Sequence, residues 1–187
     1  MLKAKGIFPV IRKPEVDETL SKPLTVEQTV MYIALKKALK VERDMLGEGY
    51  LPGDFLVAAD TVVYKDEIIG KPADEKDAFR IFQQLRNTFH HVVTGVALVE
   101  VGTSNRRGFY EKTEVWFKDY TREETADYLK TGEAWDKAGG YAIQGGWAKH
   151  ILRIKGDYDN VVGLPWTKTV EELQKMGFQI MEAGGAE

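Results

Sequence analysis

Phe55-Leu56-Val57-Ala58-Ala59-Asp60-Thr61 is a continuous apolar run closed by an acidic residue and a threonine. An uninterrupted run of this kind reads as a buried strand. Asp60 then stands at the strand's carboxyl end, the edge of an open α/β sheet where ligands bind. An aspartate there can hold a metal or take a proton from water. It can equally be a turn or cap residue, a role to which aspartate is well suited.

Working outward, Val62-Val63-Tyr64 and Ile68-Ile69 read as a hairpin around Lys65-Asp66-Glu67. Upstream of a loop from Gly47 to Asp54 lies a helix opened by a capping box, Thr25 with Gln28, in which each side chain satisfies a backbone N–H. Val26, Val30, Ile33, Ala34, Ala38 and Val41 recur along it at helical spacing. A second helix starts near Asp74 with Ala78, Ile81, Phe82 and Leu85 on its inner face. His91 to Val101 and Tyr110 to Phe117 read as strands that pair across the polar loop Gly102 to Gly108. A third helix opens on the box Thr121 with Glu124 and stops at Gly132. Trp147 to Ile154 reads as a strand, and a last helix takes Thr169 with Glu172 as its box and Gly177 as its left-handed cap. Long strands among helices, not strictly alternating, predict a single α/β domain over residues 1–187 with a mixed sheet.

The 187 residues carry a formal net charge of −3, which argues against binding a nucleic-acid polymer. Any anionic ligand must be held by a few placed cations, not by the overall field. The absence of cysteine excludes disulfides, thiolate metal sites and a cysteine nucleophile. Neither a signal-peptide core nor a membrane-length apolar run is present, so the expectation is a soluble, cytoplasmic protein without a membrane partner.

Five further places could carry chemistry. Lys37 lies four residues after Ile33 and four before Val41, on the apolar face of the first helix. It is a snorkelling lysine or a cation aimed into a pocket. Gly70-Lys71-Pro72 offers a flexible backbone, a point charge for phosphate and a stiff exit, although an exposed loop lysine satisfies the same residues. Asp136-Lys137-Ala138-Gly139-Gly140-Tyr141-Ala142-Ile143-Gln144-Gly145 is too glycine-rich for a helix and too apolar for an ordinary surface loop. It wraps a ligand, with the Gln144 amide reading a base edge, or it is a packed Ω-loop. Glu18 is a metal carboxylate or part of a solvated acidic run. His90 and His91 do not suit a metal pair, because neighbours on a strand face opposite ways.

Taken together these segments resemble the Maf family of nucleotide pyrophosphatases. The likeness runs from about Gly6 to Gly177 and its short words come in the family's order: Asp17-Glu18, Lys37-Ala38, Ala59-Asp60-Thr61-Val62-Val63, Gly70-Lys71-Pro72, His90 with Thr94-Gly95-Val96, Thr131-Gly132-Glu133, Asp136-Lys137-Ala138-Gly139, Ile143-Gln144-Gly145 and Gly156-Asp157-Tyr158 with Asn160-Val161-Val162-Gly163-Leu164-Pro165. The resemblance implies an elongated mixed sheet flanked by helices, similar to the inosine-triphosphate pyrophosphatases, often as a homodimer. It implies cleavage of a nucleoside triphosphate to its monophosphate and pyrophosphate with a divalent metal, Mg²⁺ or Mn²⁺. Gln144 stands where the dTTP/UTP branch has its glutamine, whereas the branch acting on 7-methyl-GTP has an acidic residue near that place. On this reading Asp60 activates water or holds the metal with Glu18. Lys71 acts with it in catalysis, Lys37 and Lys137 neutralise phosphate oxygens, and Thr61 and Gln144 read the base.

Two departures accompany the resemblance. Asn87 stands where the family has glycine after the second helix, and asparagine is the next-best residue for a left-handed cap. Met1 to Ile7 aligns with the segment just after the family's first strand and its arginine-bearing phosphate loop. The expectation is therefore a chain lacking that strand and loop, and the rival function is a Maf-fold protein that binds nucleotides with little or no turnover.

Overall fold

Five strands form one sheet in the order β2-β1-β3-β4-β5 in the computed structural model, which describes residues 2–20 and 22–178. They are β1 (Phe55–Lys65), β2 (Glu67–Ile69), β3 (Phe89–Glu100), β4 (Arg106–Phe117) and β5 (Ile151–Lys155). The helices are α1 (Val26–Glu48), α2 (Glu75–Leu85), α3 (Arg122–Lys130), α4 (Tyr158–Val162) and α5 (Trp166–Lys175). The α/β class stands. Where the sequence suggests a mixed sheet, each pairing among the described residues is antiparallel. The α2 crossover does join two strands that run the same way, β2 and β3, but β1 lies between them.

Strand alternation sorts the core into two layers. On one face of the sheet, Ala34 and Ala38 of α1 pack on Leu56, Ala58, Ala97 and Val99, and Val26 and Val30 pack near Val62, Tyr64 and Val93. The small alanines let the helix lie close to the sheet. On the other face, Leu173 of α5 and Met176 just after it cover Phe55, Ala59, Val96 and Leu98. Further along that face, Phe82 of α2 meets Trp147 edge-on at 4.5 Å, within a cluster that includes Phe117, Tyr120 and Tyr128. Burying Phe82 alone contributes about 1.5–3 kcal/mol.

The helix starts at Thr25 and Thr121 carry the full capping boxes expected, and Asp74 caps α2. Asn87 adopts φ 50°, as its place in the turn requires. Three expectations need correction. The strand beginning at Phe55 does not end at Ala59 but runs on to Lys65, because Asp60 and Thr61 are both in register with β3. Residues Gly146–His150 form a 3₁₀ turn instead of the first half of a strand; Trp147 is fully buried in the aromatic cluster, and β5 starts only at Ile151. Thr169 does not cap α5. The helix starts at Trp166 behind Pro165, whose ring presets a helical φ, so Thr169 lies inside the helix and donates its hydroxyl back to the Pro165 carbonyl at 2.8 Å.

β2 pairs only with Val63 to Lys65. From Phe55 to Val62, therefore, the edge of β1 away from β3 has no strand beside it among the described residues. That open edge is where Asp60 and Thr61 lie.

Candidate active site

Asp60 sits opposite Gly95 of β3. A Cβ on Gly95 would stand 2.3 Å from the Val30 carbonyl carbon, so α1 rests directly on the β3 backbone. Paired residues in a sheet face the same way, and Asp60 therefore points to the α1 side. Lys37 lies two turns beyond Val30 on the same helix face. Its ammonium ends 2.6 Å from Asp60 Oδ1 and 3.0 Å from Glu18 Oε1.

Glu18 reaches this point on an extended segment that runs back along α1. Arg12 pairs with Glu48 at 2.8 Å, and Lys36 donates to the Asp17 carbonyl. The Asp17 carboxylate in turn accepts from the Thr19 N–H at 2.9 Å, so the residues on both sides of Glu18 are tied.

Exposure decides how these charges behave. The Asp60 side chain is 12% exposed and that of Lys37 is 23%, while Glu18 is 54% exposed. A carboxylate so far withdrawn from water needs a partner. Burial works against the Lys37 charge, but the hydrogen bonds Lys37 donates to Asp60 and then Glu18 outweigh it and hold the ammonium pKa above its ordinary value. The Lys37 head thus lies between two carboxylates, with its side chain 23% exposed.

Thr61 faces the other way. Its hydroxyl lies 2.9 Å from Thr94 Oγ1 and 3.4 Å from the Gly163 carbonyl. Thr94 also donates to the carbonyl of Asn160, a fully buried residue whose amide donates to the Val92 carbonyl and to Thr113 Oγ1. Asp60 and Thr61 thus occupy opposite faces and share only the open strand edge.

A second group gathers where the Lys137–Gly145 loop meets the far part of β1. Gly139, at φ 70°, packs so tightly on Val63 that a Cβ would stand 2.7 Å from its methyl, and its N–H donates to the Gly70 carbonyl at 2.9 Å. Lys137 pairs with Asp136 at 2.8 Å. That bond holds the Asp136 carboxyl below its usual range, with the charge of exposed Lys71 adding to the effect. Gln144 is exposed, between buried Ile143 and the Gly145-Gly146 turn. Among the described residues no hydrogen bond or ion pair joins the Lys37–Asp60–Glu18 group to Lys71, Lys137 or Gln144.

The loop is also anchored from below. Tyr141 OH lies 2.7 Å from Nε2 of fully buried His90, whose pKa burial pushes down to about 3. His90 is therefore a neutral core partner of Tyr141, turned away from His91 as strand alternation requires. Sequence reasoning passes over Glu133 and Tyr128, which hold the backbone on either side of Gln144. The signal available is the Thr131-Gly132-Glu133 word just before the glycine-rich loop.

Among the described residues no group of three or more His, Asp or Glu side chains is arranged to hold a metal ion, and no helix is long and apolar enough to cross a membrane. Asp60 and Glu18 still offer two carboxylates converging on one point. Two carboxylates of this kind could serve a hard divalent ion whose remaining ligands are phosphates and water.

The family model described as Maf-like protein matches residues 1–176. A dTTP/UTP pyrophosphatase of Geobacillus sp. (strain WCH70) is 43% identical over 164 residues, covering 87% of this chain and 84% of the relative. One from Agathobacter rectalis is 44% identical over 162 residues, covering 81% and 79%. One from Halalkalibacterium halodurans is 42% identical over 179 residues, covering 95% and 90%.

Proposed function

The chain belongs to the Maf family, and from that premise we propose that it hydrolyses dTTP and UTP to the monophosphate and pyrophosphate at the open edge of β1. The observation that carries this reading is the Lys37–Asp60–Glu18 group: a cation shared by two carboxylates, with Asp60 and Lys37 largely withdrawn from water and Glu18 more exposed, on a strand edge that has no strand beside it among the described residues. The three dTTP/UTP pyrophosphatases are similar to the chain over most of their own length, which favours turnover over nucleotide binding alone.

Hydrolysis at the α-phosphorus requires an activated water, neutralisation of phosphate charge and a stable leaving group. Asp60, the best-buried carboxylate of the group, takes the proton from the attacking water or, in the alternative role, holds the metal beside Glu18. Lys37 donates a 2.6 Å hydrogen bond to Asp60 and, when phosphate oxygens arrive, offers the same ammonium to them. Lys71 and Lys137 flank Asp136 and lend positive charge to the polyphosphate from the β2 side. Glu18 and Asp60 would hold a divalent ion, Mg²⁺ or Mn²⁺, which supplies charge neutralisation of the pyrophosphate leaving group. Gln144 reads the pyrimidine edge with one acceptor and two donors, and Thr61 marks the opposite side of the strand edge.

The test is pyrophosphate release by the purified chain over UTP, dTTP, CTP, GTP and ATP with Mg²⁺ and with Mn²⁺. Preferential turnover of UTP and dTTP is expected. Nucleotide binding without pyrophosphate release under either metal would replace this reading with the non-catalytic one.

A further inference from the structure

Gln144 is exposed and makes no side-chain hydrogen bond of its own among the described residues, so something else must fix where its amide points. Gln144 occupies the third place of a turn closed by the Gly145 N–H donating to the Ala142 carbonyl at 3.1 Å. Two residues before it, the Ala142 N–H donates to Tyr128 OH at 3.1 Å. Two residues after it, the Gly146 N–H donates to Glu133 Oε2 at 3.0 Å. Both acceptors come from α3 and its exit, so one rigid element brackets the turn symmetrically.

The packing around Glu133 is tight. A Cβ on Gly145 would stand 2.2 Å from Glu133 Oε2, so the backbone wraps the carboxylate with no room for a side chain. Tyr128 is itself fixed: it is 5% exposed and stacks edge-on against Phe82 at 5.8 Å. Burial, with the charge of Glu133 adding to it, pushes its phenol up to about 12, so the hydroxyl stays neutral through the working pH range. Tyr141 and Ile143 go into the core on the side opposite to Gln144, which leaves the amide as the group the turn presents outward.

The geometry points to Glu133, with Tyr128, as a positioning residue for base selection: it sets the turn that aims the Gln144 amide and touches no substrate atom itself. This inference rests on Gln144 being the base-contacting residue. Glu133 then governs how well the pyrimidine is held and distinguished, whereas the chemical step belongs to Asp60 and Lys37 on other elements.

The experiment is steady-state kinetics of the full chain on UTP, dTTP and GTP for Glu133→Ala, Glu133→Gln, Tyr128→Phe, Gln144→Ala and the Glu133→Ala/Gln144→Ala double variant. Losing a hydrogen bond to a charged acceptor should raise KM for UTP and dTTP by about tenfold in Glu133→Ala. The kcat should stay within about threefold, and the preference over GTP should fall. Glu133→Gln keeps an acceptor at the same place and should recover most of the loss even if the alanine variant folds poorly. Tyr128→Phe should shift KM in the same direction. The double variant should discriminate no worse than Gln144→Ala alone. If Glu133→Ala lowers kcat with selectivity intact, or deepens the loss of selectivity in the Gln144→Ala background, Glu133 does not act through Gln144 and the inference falls. If Gln144→Ala leaves selectivity unchanged, it is the base-reading role of Gln144 that falls, which is a separate outcome.

Discussion

Gly95→Ala tests whether the site depends on how closely α1 rests on the sheet. The added methyl would stand 2.3 Å from the Val30 carbonyl carbon, 2.4 Å from the Met31 nitrogen and 2.5 Å from the Val30 oxygen. Ordinary contact begins near about 3.4 Å, so the helix and β3 must separate by roughly 1 Å. The obstacle is backbone on both sides, and no rotamer change relieves it. Overpacking of this kind costs about 1–3 kcal/mol. For a chain of 187 residues that corresponds to a fall in Tm of about 2–12 °C. The same displacement carries Lys37 away from Asp60, with which it now makes a 2.6 Å bond. A misplacement of about 1 Å can reduce kcat/KM by about a hundredfold. Gly108→Ala is the control, because its nearest neighbour would be the Val96 carbonyl oxygen at 3.8 Å. Thermal unfolding and pyrophosphate release measured on both variants decide the matter. A Gly95→Ala protein with the stability and turnover of Gly108→Ala would refute the claim that close helix–sheet approach builds the catalytic pair.

Three further outcomes are expected. Asp60→Asn keeps the shape and removes the base, so turnover should fall by at least about a hundredfold; near-normal pyrophosphate release would take Asp60 out of the mechanism. Gln144→Glu should weaken UTP and dTTP more than purine triphosphates, because a site built to pair one base edge leaves polar groups unmatched with another; a uniform drop across substrates would make Gln144 structural. His90, held down to about 3 in the fold by burial against an ordinary 6.5, favours the unfolded chain as acid is added. Below pH 6.5 the unfolded state binds the extra proton, so stability falls with pH by about 1.4 kcal/mol per unit until pH approaches 3. His91 and His150 are depressed too, chiefly by burial, so the slope belonging to His90 is the difference between the parent and His90→Asn in urea midpoints from pH 7 to 4.5. Equal slopes would show that His90 is not kept neutral.

Much of the fold is legible in the sequence because its signals are local. The capping boxes at Thr25 and Thr121 depend on residues three apart, and the apolar stripe from Val26 to Val41 is a one-dimensional pattern that burial reproduces residue by residue. The pattern misleads where it competes with tertiary context. Thr169 and Glu172 have box spacing, but Pro165 has already started the helix. Trp147 to Ile154 is apolar enough for a strand, yet Trp147 is drawn into the aromatic cluster and its backbone curls into a 3₁₀ turn. Asp60 looks like a strand end because a charge comes after an apolar run, but a mid-strand aspartate is tolerated when a lysine from a packed helix meets it.

The site is legible as a set of residue types and illegible as an arrangement. Lys37 on an apolar stripe and Asp60 after an apolar run are each readable in the sequence, but nothing local says that they meet. Their meeting depends on Gly95, which is 58 residues from Lys37 and 35 from Asp60 and matters only for the side chain it lacks. Alternation along β1 does carry one usable constraint, since Asp60 and Thr61 as neighbours on a strand cannot share a face. Their common access is a property of the edge, which among the described residues has no strand beside it before Val63. The resting charge of the group points the same way. One ammonium shared between two carboxylates leaves the Lys37–Asp60–Glu18 group at −1, unsuited to a polyphosphate by itself. Lys137 pairs with Asp136, and the charge of Lys71, on a different loop, also acts on that carboxyl.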